Sequence, residues 1–317
     1  MLYNAATPDR RMSVPGASAP LDPADPGLLR LSRLRAVVLL AGSVRANHLR
    51  KLTNRRALHM PIAQGQTVLD CWREQLTSMA ERLGVSALPV RVMVDQATGE
   101  NTASRSHGPI ELTVEPDPLD LRGTGGLLSD IAREYDDDDL LLVGHASQLL
   151  FEPLAALTAA IASSSRDVSM ICSQEGTPSG LMLIRCGCLR SINPVGYIDL
   201  NEQAMPAIAG DHDVRIVRYQ RPVTRSLRTL RGYIHALRRF HCEHYGGERG
   251  GPEDWESAFS LIEPGAQVHE SAVLHDSVVL EGGKVEAGAV VVRSVICAGG
   301  VAPAGQVTSD TVIGRGS

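Results

Sequence analysis

Aliphatic residues recur along this chain with two different rhythms. Up to about residue 248 they come in short blocks. Apolar-rich runs at Ala36 to Leu40, Val90 to Val94, Leu112 to Val114, Leu140 to Val143, Val168 to Cys172 and Leu181 to Ile184 predict buried strands. Stretches with helical spacing lie between them. Val68, Leu69, Trp72, Leu76, Met79 and Leu83 share one face of a helix over 67–83, and Gly84 supplies its stop. Thr124 to Tyr135 and Ala155 to Ala162 read as further helices. Strands alternating with helices imply βαβ crossovers, and so a largely parallel sheet with helices on both faces.

The rhythm changes after Trp255. Aliphatics then recur every six residues at Ile262, Val268, Leu274 and Leu280. A one-frame slip near Gly282-Gly283 leads to a second series, Val295, Val301, Val307 and Ile313. A six-residue period with intervening Gly and small residues predicts a hexapeptide-repeat β-helix of roughly three coils. Loose hairpins would show period-two alternation instead. Four segments follow from these patterns. Residues 1–33, with Pro15, Pro20, Pro23 and Pro26, read as a flexible leader that could end in a short helical turn. Residues 34–248 form the α/β unit, 249–261 a Gly-containing linker and 262–317 the β-helix. Short coil stacks expose their ends, which makes self-association as a homo-oligomer the expectation.

Composition narrows the function classes. The chain has 317 residues, 43% hydrophobic and 21% charged, with a net charge of −5. A nucleic-acid binder is more often basic overall, and with aromatics at 3% there is little for base stacking. Six cysteines, at 71, 172, 186, 188, 242 and 297, form no Cys-x-x-Cys pair and sit in or beside apolar runs, as reduced core residues do. No run of 18 apolar residues predicts a membrane span, and no signal-peptide pattern opens the chain, so a cytoplasmic location is expected.

Several polar groups invite both a functional and a bland reading. Asp136 to Asp139 reads as a solvated turn rather than a cation loop. The Arg-rich stretch 215–239 reads as a basic helix face, with anion or acidic-partner binding as the alternative. His235, His241, Cys242 and His244 lack the i, i+4 spacing of a helical zinc pair. Cys186-Gly187-Cys188 is too short for a zinc knuckle. His145, at the carboxyl end of a strand, is a candidate metal ligand or general base, or a structural histidine.

Four motifs, in order, give the chain a resemblance to a known family. They are Leu40-Ala41-Gly42 after the first strand; Leu52-Thr53 with Met60-Pro61-Ile62 and Leu69-Asp70; Arg122-Gly123-Thr124-Gly125-Gly126-Leu127; and Asp199-Leu200-Asn201-Glu202-Gln203. With the C-terminal repeat, this order resembles the sugar-1-phosphate nucleotidyltransferases, including mannose-1-phosphate guanylyltransferases. The resemblance spans residues 34–317. It implies a Rossmann-like, GT-A-like mixed α/β sheet followed by a left-handed parallel β-helix. It implies in-line attack of a sugar 1-phosphate on a nucleoside triphosphate with release of pyrophosphate, and a role in nucleotide-sugar synthesis. By this resemblance Ala41, Gly42, Gly123, Thr124, Gly125 and Gly126 hold the nucleotide, Asp199 and Glu202 the sugar, and Arg45, Arg50 and Arg56 stabilise phosphates.

The sequence departs from that family where the chemistry is most demanding. The opening loop Gly42-Ser43-Val44-Arg45-Ala46-Asn47 lacks two of the family's glycines, and Asn54-Arg55-Arg56-Ala57 stands where the family has Pro-Lys. Gly144-His145-Ala146 replaces a Gly-Asp whose carboxylate holds Mg²⁺ in active relatives. Ser226-Leu227-Arg228-Thr229 lacks a second Asp, and Asn201 replaces a Lys. The expectation is a weakened or inactive nucleotidyltransferase that does not bind Mg²⁺ in the usual way. The alternative is a non-catalytic protein that senses a nucleotide or sugar phosphate, or stiffens an assembly.

Overall fold

A computed structural model describes residues 26–42, 48–95, 102–117, 122–163, 165–192, 196–245 and 259–315. The elements, in chain order, begin with α1 (Pro26–Leu31), β1 (Leu34–Leu40), α2 (His48–Thr53), β2 (Pro61–Ala63), β3 (Gln66–Thr67), α3 (Val68–Leu83) and β4 (Leu88–Val94). Next come β5 (Thr102–His107), β6 (Ile110–Pro116), α4 (Gly123–Ala132), β7 (Leu140–His145), β8 (Gln148–Leu150), α5 (Leu154–Ala162) and β9 (Val168–Ser173). The α/β part closes with β10 (Pro178–Arg185), α6 (Cys186–Arg190), α7 (Met205–Asp211), β11 (Val214–Tyr219), β12 (Thr224–Ser226) and α8 (Leu230–Tyr245).

Eight strands form one mixed sheet in the order β11-β9-β10-β7-β1-β4-β6-β5. β1 runs parallel to β4 and β7, while β10 is antiparallel to both of its neighbours and β5 to β6. Burial on both faces explains the continuous apolar runs. Val37 and Leu39 of β1 join the core beneath α3, α5 and α8; Ala36, Val38 and Leu40 join the one beneath α4, α6 and α7. The start of α3 is a capping box, with the Thr67 N–H donating to Asp70 Oδ2 at 2.9 Å and the Asp70 N–H to Thr67 Oγ1 at 3.3 Å. Gly84 ends it at φ +65°. Helix α1 lies within the stretch expected as leader and packs on α5, with Leu31 buried and Arg30 Nη1 donating to the Ile161 carbonyl at 3.3 Å. Among the described residues no helix is long and apolar enough to cross a membrane.

The C-terminal segment winds through ten short strands: β13 (Ser260–Ile262), β14 (Gln267–Val268), β15 (Val273–His275), β16 (Ser277–Val279), β17 (Lys284–Val285), β18 (Val290–Val292), β19 (Val295–Ile296), β20 (Val301–Ala302), β21 (Val307–Ser309) and β22 (Val312–Ile313). They build three parallel sheets, β13-β16-β19-β22, β14-β17-β20 and β15-β18-β21, the arrangement of a parallel β-helix. β13 already begins at Ser260, inside the expected linker.

The repeat corrects the expected register. Each turn advances 17 residues, not 18, because Ile262, Val279, Ile296 and Ile313 stack in register. The interior is therefore lined by Val279, Val285, Val291, Ile296 and Ala302. Val301 and Val307, expected to point inward, face outward at 41% and 74% exposure. A one-residue slip moves a strand's side chains to the opposite face, and the apolar outer positions disguised it. Val278 of β16 and Val295 of β19, with Leu280 and Cys297 just beyond those strands, belong instead to the α/β core, as do Phe259 and Leu261.

Candidate functional site at the carboxyl edge of the sheet

Parallel α/β sheets bind ligands beyond the carboxyl ends of their strands. β1, β4 and β7 end together here, and most of the expected site residues follow them. After β1, the Ala41 and Gly42 N–H groups both donate to the Met93 carbonyl, at 2.9 and 3.0 Å. A Cβ on Gly42 would stand 2.5 Å from the Asp95 nitrogen, so this close backbone approach requires glycine. Arg45 lies outside the described residues.

Two of the expected phosphate-stabilising arginines converge on one carboxylate. α2 carries Arg50, whose guanidinium pairs with Asp95, directly after β4. The chain then turns at Thr53, whose hydroxyl donates to the Leu49 carbonyl at 2.9 Å and accepts from the Arg55 N–H at 3.2 Å. The turn sends Arg55 to Glu263 at 2.6 Å and Arg56 to Asp95 at 3.7 Å. Asp95 was not singled out by sequence reasoning. Its place immediately after the Val90–Val94 run was the available signal.

His145 ends β7 beside Gly180 of β10. Gly180 has φ +75°, and a Cβ there would lie 2.5 Å from His145 Cδ2 and 2.7 Å from Gln148 Nε2. Gln148 is only 7% exposed, and among the described residues its amide nitrogen has no hydrogen-bond partner. Burial, and secondarily the Arg228 charge, push the His145 imidazole below its ordinary pKa, with Asp199 opposing. Among the described residues the imidazole belongs to no cluster of three metal-ligating side chains.

The two remaining motifs, far apart in sequence, dock on one another. The Gly125 N–H donates to the Ile198 carbonyl at 2.9 Å, the Ile198 N–H to the Arg122 carbonyl at 2.9 Å, and the Leu200 N–H to Thr124 Oγ1 at 3.1 Å. Gly123, at φ +68°, touches the same segment, and a Cβ on it would lie 2.5 Å from the Ile198 oxygen. A Cβ on Gly126 would meet the Arg122 side chain at 3.1 Å. Asp199 Oδ1 accepts from the Asn201 and Glu202 N–H groups at 2.8 and 2.9 Å, capping a π-type turn, Leu200–Ala204, that leads into α7. Glu202 itself is exposed. In this structure the glycine-rich turn and the Asp199 carboxylate both serve to hold the 198–204 segment.

The remaining polar features are engaged within the fold, and two of the expectations for them are corrected: Asp139 is buried rather than solvated, and the arginines of 215–239 do not form one helix face. Asp137, Asp138 and Asp139 pair with Arg190, Arg33 and Arg35. The Arg-rich stretch is spread over β11, β12 and α8 rather than lying on one helix face, and Arg239 caps the Phe151 ring at 4.0 Å. His241 bonds to the Ile62 carbonyl at 2.9 Å and stacks on Phe259, while His244 stacks on Phe240.

No protein-family model matches the chain, and no curated protein matches it. Among solved structures, the chain is similar to HddC from Yersinia pseudotuberculosis at 14% identity and a TM-score of 0.47, over 65% of this chain and 100% of that one.

Proposed function

We propose that the carboxyl edge of the sheet binds a nucleotide or sugar phosphate, on a nucleotidyltransferase-type scaffold closed by a left-handed β-helix. The observation that carries this reading is cationic convergence. Arg50 and Arg56 meet at Asp95, and Arg228 lies close enough to His145 to depress its pKa. Guanidinium forks recognise phosphate oxygens bidentately. In this reading Arg45, Arg50 and Arg56 face phosphates, Ala41, Gly42 and Gly123 to Gly126 shape the nucleotide pocket, and Asp199 and Glu202 border the sugar. The α/β sheet with its helices, α1 included, is then the ligand-binding unit, and the β-helix follows from Ser260.

Mg²⁺ does not fit these residues. It takes hard oxygen ligands, whereas Asp95 is engaged by two arginines, Asp199 caps a turn, and β7 ends in an imidazole. Each missing phosphate-stabilising group costs a transferase about 2–4 kcal/mol of transition-state stabilisation. The reading is therefore of a binding protein, with transfer to a sugar phosphate weak or lost.

Calorimetry with nucleoside triphosphates, sugar 1-phosphates and nucleotide sugars, beside pyrophosphate exchange with Mg²⁺, Mn²⁺ or Zn²⁺, tests this. Binding without exchange, weakened in Arg50→Ala and Arg56→Ala, is expected. Robust turnover would restore the enzyme reading; no binding to any of them would leave a structural one.

A further inference from the structure

Three side chains that no motif links in sequence meet at the opposite edge of the sheet. Asp167 directly precedes β9, His212 directly follows α7, and Cys188 lies within α6. One carboxylate oxygen, one imidazole nitrogen and the Cys188 sulfur all lie within 4.8 Å of one another.

The sheet topology brings them together. β9 and β11 are parallel neighbours with Val168 opposite Val214, so their amino ends lie side by side. β10 is antiparallel to β9, with Ile184 opposite Val168, so its carboxyl end reaches the same edge and runs straight into α6. Backbone bonds lock this corner. The Val168 N–H donates to the Asp213 carbonyl at 3.0 Å, the Arg185 N–H to the Asp167 carbonyl at 3.0 Å, and the Asp213 N–H to Asp167 Oδ2 at 3.1 Å. His212 Nδ1 is 3.6 Å from the same Oδ2. Cys188 forms a fully buried floor, while Asp167 and His212 stay partly open to solvent.

We propose that Asp167, Cys188 and His212 form a zinc site, with the fourth position open to water or an exogenous donor. Thiolate, imidazole and carboxylate are the three donor types that Zn²⁺ accepts, whereas Mg²⁺ and Ca²⁺ would leave the sulfur unused. Metal–ligand bonds of about 2.0–2.3 Å place donors roughly 3–4 Å apart, so side-chain rotations of about an ångström complete the tetrahedron. Arg185 Nη1, 3.4 Å from Asp167 Oδ1, sits where it can offset two anionic ligands. On binding, the Cys188 S–H bond breaks, an S–Zn bond forms, and the proton goes to solvent. The ion would tie α6 and the end of α7 to the sheet.

The test uses the full-length protein dialysed against Zn²⁺ and, separately, Co²⁺. One equivalent of zinc by elemental analysis and a thiolate-to-cobalt charge-transfer band are expected. His212→Ala keeps the buried floor intact and should weaken binding beyond the roughly 10–100-fold that loss of an outer-shell partner costs. Cys188→Ser should abolish the charge-transfer band, and Cys242→Ser should leave both readouts unchanged. Equal zinc in wild type and His212→Ala, or a band that survives Cys188→Ser, would overturn the proposal. So would a wild type that retains no zinc. None of these readouts depends on nucleotide binding at the other edge.

Discussion

Arg238 of α8 and Asp276, at a corner of the coil, form an ion pair across the junction between the sheet and the β-helix. The Asp276 side chain is 0% exposed and Arg238 29%. Asp276 Oδ1 also accepts from the Phe259 N–H at 3.3 Å, and the residue stands at φ +48°. Asparagine tolerates that backbone as well as aspartate does, so Asp276→Asn isolates the charge. Breaking a buried pair by removing one partner costs about 3–5 kcal/mol, and partial exposure of Arg238 places this one at the lower end, about 3 kcal/mol. Denaturant unfolding measures it. A loss below about 0.5 kcal/mol would show that the pair does not hold the junction.

The dock between the glycine turn and the 198–204 segment gives a second expectation. Thr124→Val removes the acceptor of the Leu200 N–H and should cost about 1–3 kcal/mol. Gly123→Ala places a methyl 2.5 Å from the Ile198 oxygen at a φ that L-residues avoid. Hydrogen exchange should then accelerate at 198–204 while the β1 and β7 amides stay protected. Unchanged exchange at 198–204 would mean that the turn is not what holds the segment.

The sequence carried the sheet because β1, β7 and the Leu181–Ile184 part of β10 are buried on both faces and so are written in apolar runs. It missed β5 and β11, edge strands that keep charged and polar side chains such as Arg105, Arg215 and Arg218. It carried the existence of the coil but not its register, since apolar residues such as Leu280 and Val295 serve the junction rather than the coil interior. At the site, strand-end residues were readable where a motif marked them, as at Gly42 and His145. Asp95, Gln148 and Gly180 were not, because their roles come from strands that pair only in three dimensions. For the same reason Asp167, Cys188 and His212 were legible only as three unrelated residues.

Acid should erode stability through two partly buried histidines. Burial pushes both His145 and His241 below the ordinary value of about 6.5, so between that value and their folded values the unfolded chain binds more protons. Their contribution is complete above about pH 6.5 and is lost progressively as pH falls below it. Urea midpoints should therefore decline from pH 7 to pH 5. His145→Asn removes one of the two groups and should flatten the decline over that window. An unchanged slope would show that His145 takes up its proton equally well in the folded chain.

The 17-residue register predicts opposite outcomes for neighbouring aliphatics. Ile296 is fully buried inside the coil and stacks between Val279 and Ile313. Ile296→Ala should cost about 2–5 kcal/mol, because the short flat sheets around it have little freedom to collapse onto the cavity. Val307, 74% exposed on the outer face of β21, should change stability by no more than about 0.5 kcal/mol when replaced by Ala. Ala302 lies on the interior at 0% exposure, so Ala302→Leu should overpack it and cost about 1–3 kcal/mol, whereas Val301→Leu, one residue earlier and pointing outward, should be close to neutral. Thermal and denaturant unfolding of the four variants would decide between registers. An 18-residue repeat that places Val301 and Val307 inside reverses both pairs: Val307→Ala would become the costly deletion and Ala302→Leu the harmless change.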